Sequence, residues 1–254
     1  MPLLGTHAGM SREEACGLEQ IDLGFDAETP YVLVQANMTK SDDGETPGGL
    51  KRSSCKRALP LYPELLRLGF ERYCEAVGAD GWAMLFPELY GEMNDEGEFV
   101  RWTKAGGPKF YSVAWRPIID AAHAILPLPK TSGGKYADFH SQRTFHYSAM
   151  AAKAVSEALL ARHVGYSQRT TGGRNYNRRA LAMGLENELD ERRVVLMREV
   201  PDVTGHVPAP DNANLLHVNK RSRLNEGAQR IYPLPGLKSV AAHGTPLCGC
   251  QRNT

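Results

Sequence analysis

The sequence predicts a mostly helical α+β fold with one small antiparallel sheet near the front of the chain. Helical spacing of apolar residues outweighs strand-like alternation over most of the 254 residues. Apolar residues make up 42% and charged residues 23% of the chain, which is ordinary for a soluble globular protein. The length suffices for one substantial core or two small ones.

The elements of the first quarter justify the sheet and one short helix. Residues 11–18 (SREEACGL) read as a helix, because Ser11 is a suitable N-cap and Glu14 three residues later completes a capping box. The β-branched and apolar run 31–36 reads as a strand. The polar run 41–49 reads as a loop, after which residues 50–51 and 58–61 are expected to form a small basic hairpin.

Helices account for most of the remaining chain. Apolar spacing predicts helices over 62–77, 113–125 and 179–200, and two helices or one broken helix over 142–161. Residues 82–87 read as a short buried segment, with a polar loop after it. From residue 201 onward prolines recur without sustained periodicity, which predicts an irregular and partly disordered tail.

Several classes of protein are disfavoured by composition. No run approaches the roughly 18–20 apolar residues of a membrane span, and the first residues lack the features of a signal peptide. A cytoplasmic protein is the expectation. The cysteines are odd in number and have no zinc-site spacing, so they are expected to be reduced thiols; they are Cys16, Cys55, Cys74, Cys248 and Cys250.

The net charge of +1 conceals a strongly basic stretch between residues 139 and 180. This stretch contains seven Lys or Arg residues and one acidic residue, Glu157, which gives 7 − 1 = +6. Such a stretch is either a solvated face or a surface for a polyanion such as DNA. Charge alone does not favour one interpretation over the other.

Three local patterns contain residue types suited to phosphate chemistry. His140 and Arg143 are one turn apart at a helix start, where a guanidinium clamps phosphate oxygens and an imidazole moves a proton. Tyr176 lies among arginines in GGRNYNRR, and nearby cations favour the phenolate that a nucleophile needs. Lys51 lies in the basic hairpin, where a lysine can donate a proton to a leaving oxygen. Each pattern alone is also explained by ordinary surface residues.

Together, these segments resemble the tyrosine recombinase (phage integrase) family over about the first 180 residues. The run THAGMSREEACGLEQIDL is similar to the family's first box, "TGxRxxE…L…DI", and LKRSSCKRALPLYPELL is similar to "KTxxSxRxVPLHPEL". FPEL at residues 86–89 fits the short motif that often follows in the family. Further along, FHSQRTF resembles the "FHSxRHTF" box and ALLARHVGYS resembles the "xLLGHS" box. GGRNYNR then occupies the place of the terminal tyrosine. The order and the spacing of the six boxes agree with the family.

The resemblance implies a catalytic domain over residues 1–185, with a helix and an irregular tail over 186–254. It implies that Tyr176 attacks a DNA phosphate and forms a 3′-phosphotyrosyl link, with no cofactor and no metal ion. Arg143 would stabilise the phosphoryl charge, His140 would act as general base and Lys51 as general acid. The partners would be double-stranded DNA and further copies of the chain, as a tetramer. The expected DNA-binding residues are Arg52, Arg57, Arg169, Arg174 and Arg178.

The sequence departs from the family pattern in three places. Ser11 stands where the family has its first arginine, and the adjacent Arg12 is the candidate substitute, although it points about 100° away on a helix. Tyr166 stands at the third-box His or Trp position, where its hydroxyl can still bond a phosphate oxygen; His163 is a less favoured stand-in. The upstream clamp domain of the family is missing, which predicts a truncated or degenerate element or a start placed too late.

Three alternatives to an active recombinase remain. The first is a catalytically impaired remnant that only binds DNA, which Ser11 and the missing clamp favour. The second is a type IB topoisomerase, which uses similar residues on a related fold. The third is a phosphate-handling enzyme of unrelated fold, for which the order of the boxes would be coincidence.

Overall fold

The computed structural model describes residues 1–40, 46–48, 55–94, 99–102, 109–130, 133–134, 136–166 and 185–210. Over these residues the fold is mixed α+β, with helices predominating and with one three-stranded antiparallel sheet. The predicted fold class is confirmed at this level. No described helix is long and apolar enough to cross a membrane.

The three-stranded sheet consists of β1 (Leu23–Gly24), β2 (Tyr31–Val34) and β3 (Arg57–Pro60), in that order. Both pairs are antiparallel, and the register of β2 on β3 runs from Tyr31 opposite Pro60 to Val34 opposite Arg57. The predicted strands at 31–36 and 58–61 are therefore confirmed; the first ends two residues earlier than predicted, and the second lies one residue earlier. Residues 50–51, predicted as the partner strand, lie outside the described residues.

Two short helices open the chain. Helix α1 (Pro2–Ala8) has proline in its first turn and ends at Gly9. Helix α2 (Arg12–Cys16) begins at Ser11, and both hydrogen bonds of the predicted capping box are formed. The sequence patterns predicted α2 but not α1.

The single helix predicted over 62–77 is wrong, because the structure divides it in two. Helix α3 (Pro63–Arg67) stops before Gly69, and helix α4 (Phe70–Ala79) starts after it. Gly69 has φ 84°, a left-handed conformation that a right-handed helix cannot continue through.

The polar loop predicted after residues 82–87 is also corrected. The buried segment itself is confirmed, and a 3₁₀ turn (Pro87–Leu89) comes directly after it. The chain then forms a two-stranded antiparallel hairpin of β4 (Gly91–Met93) and β5 (Phe99–Trp102). Alternation in this segment is too irregular to signal a strand, and the register shifts between Glu92 and Met93.

The remaining helices have the predicted order. A π-helical turn (Tyr111–Trp115) leads into α5 (Arg116–Ile125). Helices α6 (Phe139–Ala152) and α7 (Glu157–Val164) replace the predicted 142–161 segment, so the two-helix alternative is confirmed. Helix α8 (Leu185–Glu199) falls within the predicted 179–200.

Among the described residues, the core includes two neighbouring clusters that join these elements. The larger cluster is built from α1, α2, the sheet and the aromatic residues Phe110, Trp115 and Phe139. The smaller cluster packs Met150 and Leu160 against Leu196 of α8. Helix α8 therefore packs against α6 and α7 in this cluster.

The described tail, 201–210, contains neither helix nor strand, as predicted. It nevertheless has fixed contacts, since the Arg67 guanidinium donates to the carbonyls of Thr204 and Val207. Cys16, Cys55 and Cys74 are free thiols; Cys248 and Cys250 lie outside the described residues.

Candidate phosphate-binding site

Glu14 is placed at the centre of the candidate site by the capping box of α2. The backbone N–H of Ser11 donates to Glu14 Oε2 at 2.8 Å, and the N–H of Glu14 donates to Ser11 Oγ at 3.4 Å. These bonds fix the carboxylate against the start of its own helix. Both carboxylate oxygens remain able to accept further bonds.

Two arginines distant in sequence converge on this carboxylate. Arg57 Nη1 lies 2.8 Å from Glu14 Oε1 and Arg57 Nη2 lies 3.2 Å from Oε2. Arg143 Nη1 lies 3.0 Å from the same Oε2. The three side chains are 5%, 7% and 11% exposed for Arg57, Arg143 and Glu14, so the triad is buried.

The electrostatics of the triad favour the ionised carboxylate. Burial alone would raise the pKa of Glu14, but the hydrogen bonds and charge of Arg57 and the charge of Arg143 lower it to about 2. The carboxylate is therefore charged at neutral pH. It neutralises one of the two guanidinium charges and leaves the triad with a net positive charge, a local field that suits an anion.

The same arginines fasten the C-terminal end of α7. Arg57 Nε donates to the carbonyl of His163 at 2.7 Å, and Arg143 Nη2 donates to the carbonyl of Val164. The last carbonyls of a helix have no partners within the helix, so these contacts satisfy them. The triad thus connects α2, β3, α6 and α7 at one point.

Tyr166 covers the Arg143 guanidinium. The Arg143 Cζ atom lies 4.9 Å from the centroid of the Tyr166 ring, which is a cation–π contact. Tyr166 is 50% exposed, so its ring lies between the buried guanidinium and solvent. Arg143 Nε is buried without a hydrogen-bond partner among the described residues. A buried donor of this kind costs about 1–3 kcal/mol, and an anion oxygen would satisfy it.

We expect Tyr166→Ala to make Arg143 reactive toward phenylglyoxal, a reagent for accessible guanidinium groups. Removal of the ring uncovers one face of the guanidinium, so modification of Arg143 should rise several-fold. Tyr166→Phe retains the ring and should leave Arg143 as protected as in the wild type. Peptide mass spectrometry after limited labelling measures the modified fraction at each arginine.

The same digest contains its own controls. Arg116 and Arg198, with side chains 80% and 73% exposed, should react in every variant. Arg57 should stay protected in every variant, because its cover is Glu14 and backbone rather than Tyr166. Equal modification of Arg143 in the wild type and in Tyr166→Ala would show that Tyr166 is not the cover.

His140 and Arg143 do not share one environment, although both belong to the start of α6. The helix is capped by Asp138, whose carboxylate accepts the N–H of Ser141. His140 is exposed, whereas Arg143 is buried beneath Tyr166. The structure therefore places the imidazole in solvent near a guanidinium that the protein has already engaged.

Ser11, which stands at the position of the family's first-box arginine, is a helix cap in the structure. The Ser11 hydroxyl caps α2, and Arg12 donates from Nε and Nη2 to Glu13. The Arg12 guanidinium also lies 4.8 Å from the centroid of the Tyr111 ring. These partners differ from those of Arg143, so no described contact joins Arg12 to the triad.

Arg57, an expected DNA-binding residue, is engaged within the fold. Its guanidinium is buried and donates to Glu14, to His163 O and to Cys55 O. Every nitrogen of this guanidinium has a partner among the described residues, whereas Arg143 Nε has none, so the described contacts of Arg57 are structural. The other predicted residues Lys51, Arg52, Arg169, Arg174, Tyr176 and Arg178 lie outside the described residues.

The sequence patterns identified Glu14 as a helix cap and as part of the first box, but they did not predict its bonds to both arginines. The distance along the chain is 43 residues to Arg57 and 129 residues to Arg143, so no local pattern connects them. The buried arginine Arg192 of α8, which donates to Ala58 O at 2.8 Å, was missed for the same reason.

Comparisons with known proteins found no matching family model, no similar curated protein and no similar solved structure. Within the described part of the chain, no group of three or more His, Cys, Asp or Glu side chains is arranged to hold a metal ion. The fold and the site define a mixed α+β domain with a buried Glu–Arg–Arg triad.

Proposed function

We propose that this chain is the catalytic domain of a tyrosine-type site-specific DNA recombinase. The observation that supports the proposal most is the convergence of the sequence boxes that resemble that family. Glu14 belongs to the first box, Arg57 to the "SxRxVPL" segment, Arg143 to the "FHSxR" box, and His163 and Val164 to the third box. Direct hydrogen bonds connect these four boxes with one another.

Convergence matters because chance matches to short motifs have no reason to meet in space. The bonded pairs are separated by 43, 106 and 129 residues for Glu14–Arg57, Arg57–His163 and Glu14–Arg143. A shared ancestral site requires the boxes to meet, whereas coincidence does not. The spatial convergence therefore supports the proposal independently of the letters that carry the resemblance.

In the proposed reaction the phenolate oxygen of Tyr176 attacks a backbone phosphorus of DNA. A 3′-phosphotyrosyl bond forms, the bond to the 5′-oxygen breaks, and the departing oxygen takes a proton from Lys51. Arg143 stabilises the charge on the phosphoryl oxygens, for which its free Nε–H is a suitable donor. His140 accepts the phenol proton, and its exposure leaves it accessible to such a partner.

Double-stranded DNA is the proposed partner, and a tetramer on DNA is the proposed assembly. Arg52, Arg169, Arg174 and Arg178 are the proposed contacts to the DNA backbone. Because such contacts release counterions, binding would weaken steeply as salt rises.

A second candidate is a remnant that binds DNA without cutting it. It is favoured by Ser11, whose hydroxyl is engaged as the cap of α2 where the family has an arginine. Removal of one donor from an oxyanion hole costs about 2.7–4 kcal/mol of transition-state stabilisation, and we expect the loss of one arginine from a phosphate clamp to cost several kcal/mol in the same way.

We expect the wild-type chain to form a covalent adduct with a nicked DNA duplex. A nick beside the cleaved position lets the short fragment leave, so the phosphotyrosyl adduct accumulates. Because the target sequence is unknown, the substrate is a library of nicked duplexes with randomised arms, and the captured DNA is sequenced. Tyr176→Phe should abolish the adduct, since phenylalanine has no nucleophilic oxygen, and a denaturing gel measures it.

Tyr136→Phe is the matched control, because it removes the hydroxyl of another tyrosine, which is partly buried and bonded to His123, and it should leave the adduct intact. An adduct that survives Tyr176→Phe would refute the assigned nucleophile. Absence of any adduct, together with salt-sensitive binding of the same library, would favour the remnant. If Ser11→Arg forms more adduct than the wild type, position 11 is where the phosphate clamp lacks its arginine.

A further inference from the structure

Two histidines stack inside the core beside the triad. His146 lies on α6 and His163 on α7, with ring centroids 5.0 Å apart and planes 20° apart. They are 0% and 2% exposed. Neither belongs to the proposed chemistry, so their burial as a pair needs its own explanation.

Both rings are bonded to the last turn of α1. His146 Nδ1 lies 2.9 Å from the carbonyl of Thr6, and the ring of His163 is bonded to the backbone of Ala8. A carbonyl accepts, so each ring donates an N–H to α1. Each Nε2 atom is buried and lacks a hydrogen-bond partner in the described part of the chain. Each neutral ring therefore keeps a lone pair on Nε2.

The charged surroundings oppose protonation of either ring. His7 faces the pair from α1, Arg57 from β3, Arg143 from α6 and Arg192 from α8. The nearby carboxylate, Glu14 of α2, already accepts from Arg57 and Arg143. A proton on either Nε2 would create a buried cation with no acceptor and with cations around it.

The pKa values agree with this geometry. Burial above all, together with the charges of His7 and Arg143 and against the bond to Thr6, lowers the pKa of His146 from 6.5 to about 4. Burial likewise lowers the pKa of His163 well below 6.5, with contributions from His146, Arg192 and Arg57. Both rings are therefore neutral in the folded protein at pH 7. Between pH 6.5 and about 4 the unfolded chain binds protons that the folded chain excludes, so stability falls as pH falls.

We propose that the stacked pair His146–His163 is an acid-sensitive switch that holds α1 against α6 and α7 and releases it on protonation. Gly9, which ends α1, packs directly on His146, since a Cβ at Gly9 would lie 2.8 Å from His146 Cδ2. Two residues later Ser11 begins α2, which carries Glu14. Release of α1 would therefore loosen Glu14 from Arg57 and Arg143. The switch does not depend on the proposed DNA chemistry.

The test compares urea unfolding of the full chain between pH 7 and pH 5 for wild type, His146→Asn and His163→Asn. The asparagine amide can keep the donation to α1 and stays neutral throughout. Each histidine that is neutral only in the folded state raises the unfolding constant about tenfold per pH unit below 6.5. We expect the pH dependence of the unfolding constant to be weaker by about that factor in each single variant. In the double variant both factors should be lost. His206→Asn, at an exposed position, should match the wild type.

Asp22, whose pKa burial raises to about 6, titrates in the same range, but it is present in every variant and cancels. Wild-type pH dependence that persists in both single variants would overturn the switch. Two measurements on the wild type remain decisive if a variant fails to fold. The first is ¹⁵N NMR of the histidine rings: if His146 and His163 protonate near pH 6.5 while the protein keeps its native spectrum, the switch is refuted. The second is hydrogen exchange at pH 5.5: if the amides of α1 do not lose protection earlier than the amides of β2 and β3, the switch is also refuted.

Discussion

Glu14→Ala is expected to lower the free energy of unfolding by about 3–5 kcal/mol, the typical cost of breaking a buried ion pair. The substitution leaves Arg57 and Arg143 buried with like charges and removes four hydrogen bonds to the carboxylate, three from these arginines and one from the Ser11 N–H. Glu14→Gln keeps the shape of the side chain and loses the charge. Its loss of stability should therefore be smaller than that of Glu14→Ala and larger than that of a substitution at an exposed position. Urea unfolding monitored by tryptophan fluorescence measures both.

The adjacent Glu13 is a matched control for this prediction. Its side chain is 44% exposed, and it pairs with Arg12 and Lys40 at the surface. Because water screens exposed pairs, Glu13→Ala should cost about 0–1 kcal/mol. Equal losses at the two positions would contradict the central role of the triad.

The contribution of Glu14 also has a definite pH range. Its folded pKa, about 2, lies below the reference value of 4.5, so its stabilisation is complete above pH 4.5 and is lost as pH falls toward 2. Acid unfolding of Glu14→Gln should therefore be less steep than that of the wild type in this range. The histidine pair acts at higher pH, so the two effects can be separated.

Gly165→Ala is expected to be the second severe substitution. Gly165 ends α7 with φ 74°, a conformation that costs other residues about 1–2 kcal/mol. A Cβ at this position would lie 2.6 Å from Arg57 Nη1, so it would push the guanidinium away from Glu14. Loss of a hydrogen bond to a charged group adds about 1.5–3 kcal/mol. Thermal and urea unfolding would measure the sum.

Gly134→Ala separates the two causes. Gly134 has the same φ of 74°, and no heavy atom of the described residues lies within 4 Å of its would-be Cβ. It should show the backbone cost alone, so Gly165→Ala should exceed it by about 2 kcal/mol, the middle of the range for such a hydrogen bond. Equal costs at the two glycines would mean that Arg57 adjusts without losing its bonds.

Local patterns in the sequence predicted those elements that local physics decides. The capping box at Ser11 and Glu14 is formed as expected, because its donors and acceptors lie within three residues. The strand at β2 was predicted from its β-branched and apolar residues, and Val32 and Val34 are buried on one face of it. The break at Gly69 was missed, because the apolar spacing continues across it and only the packed structure requires φ 84° there.

Only those features of the candidate site that depend on neighbouring residues were predicted from the sequence. The pattern His-x-x-Arg correctly placed His140 and Arg143 near the start of one helix. It did not show that Arg143 would be buried and His140 exposed, since burial depends on which helices pack against that turn. Arg57 was assigned to DNA because its segment is basic, and a basic composition does not reveal a buried acidic partner 43 residues earlier.

Residue order alone was enough to predict the mixed α+β class, the succession of most helices and the sheet near the front. The pairing of side chains emerged only when distant segments packed together: Glu14 with Arg57 and Arg143, and His146 with His163. The difference arises from the range of the interactions. Caps, turns and periodicity depend on neighbours within a few residues, whereas a buried ion pair or a stacked ring pair depends on how remote parts of the chain meet.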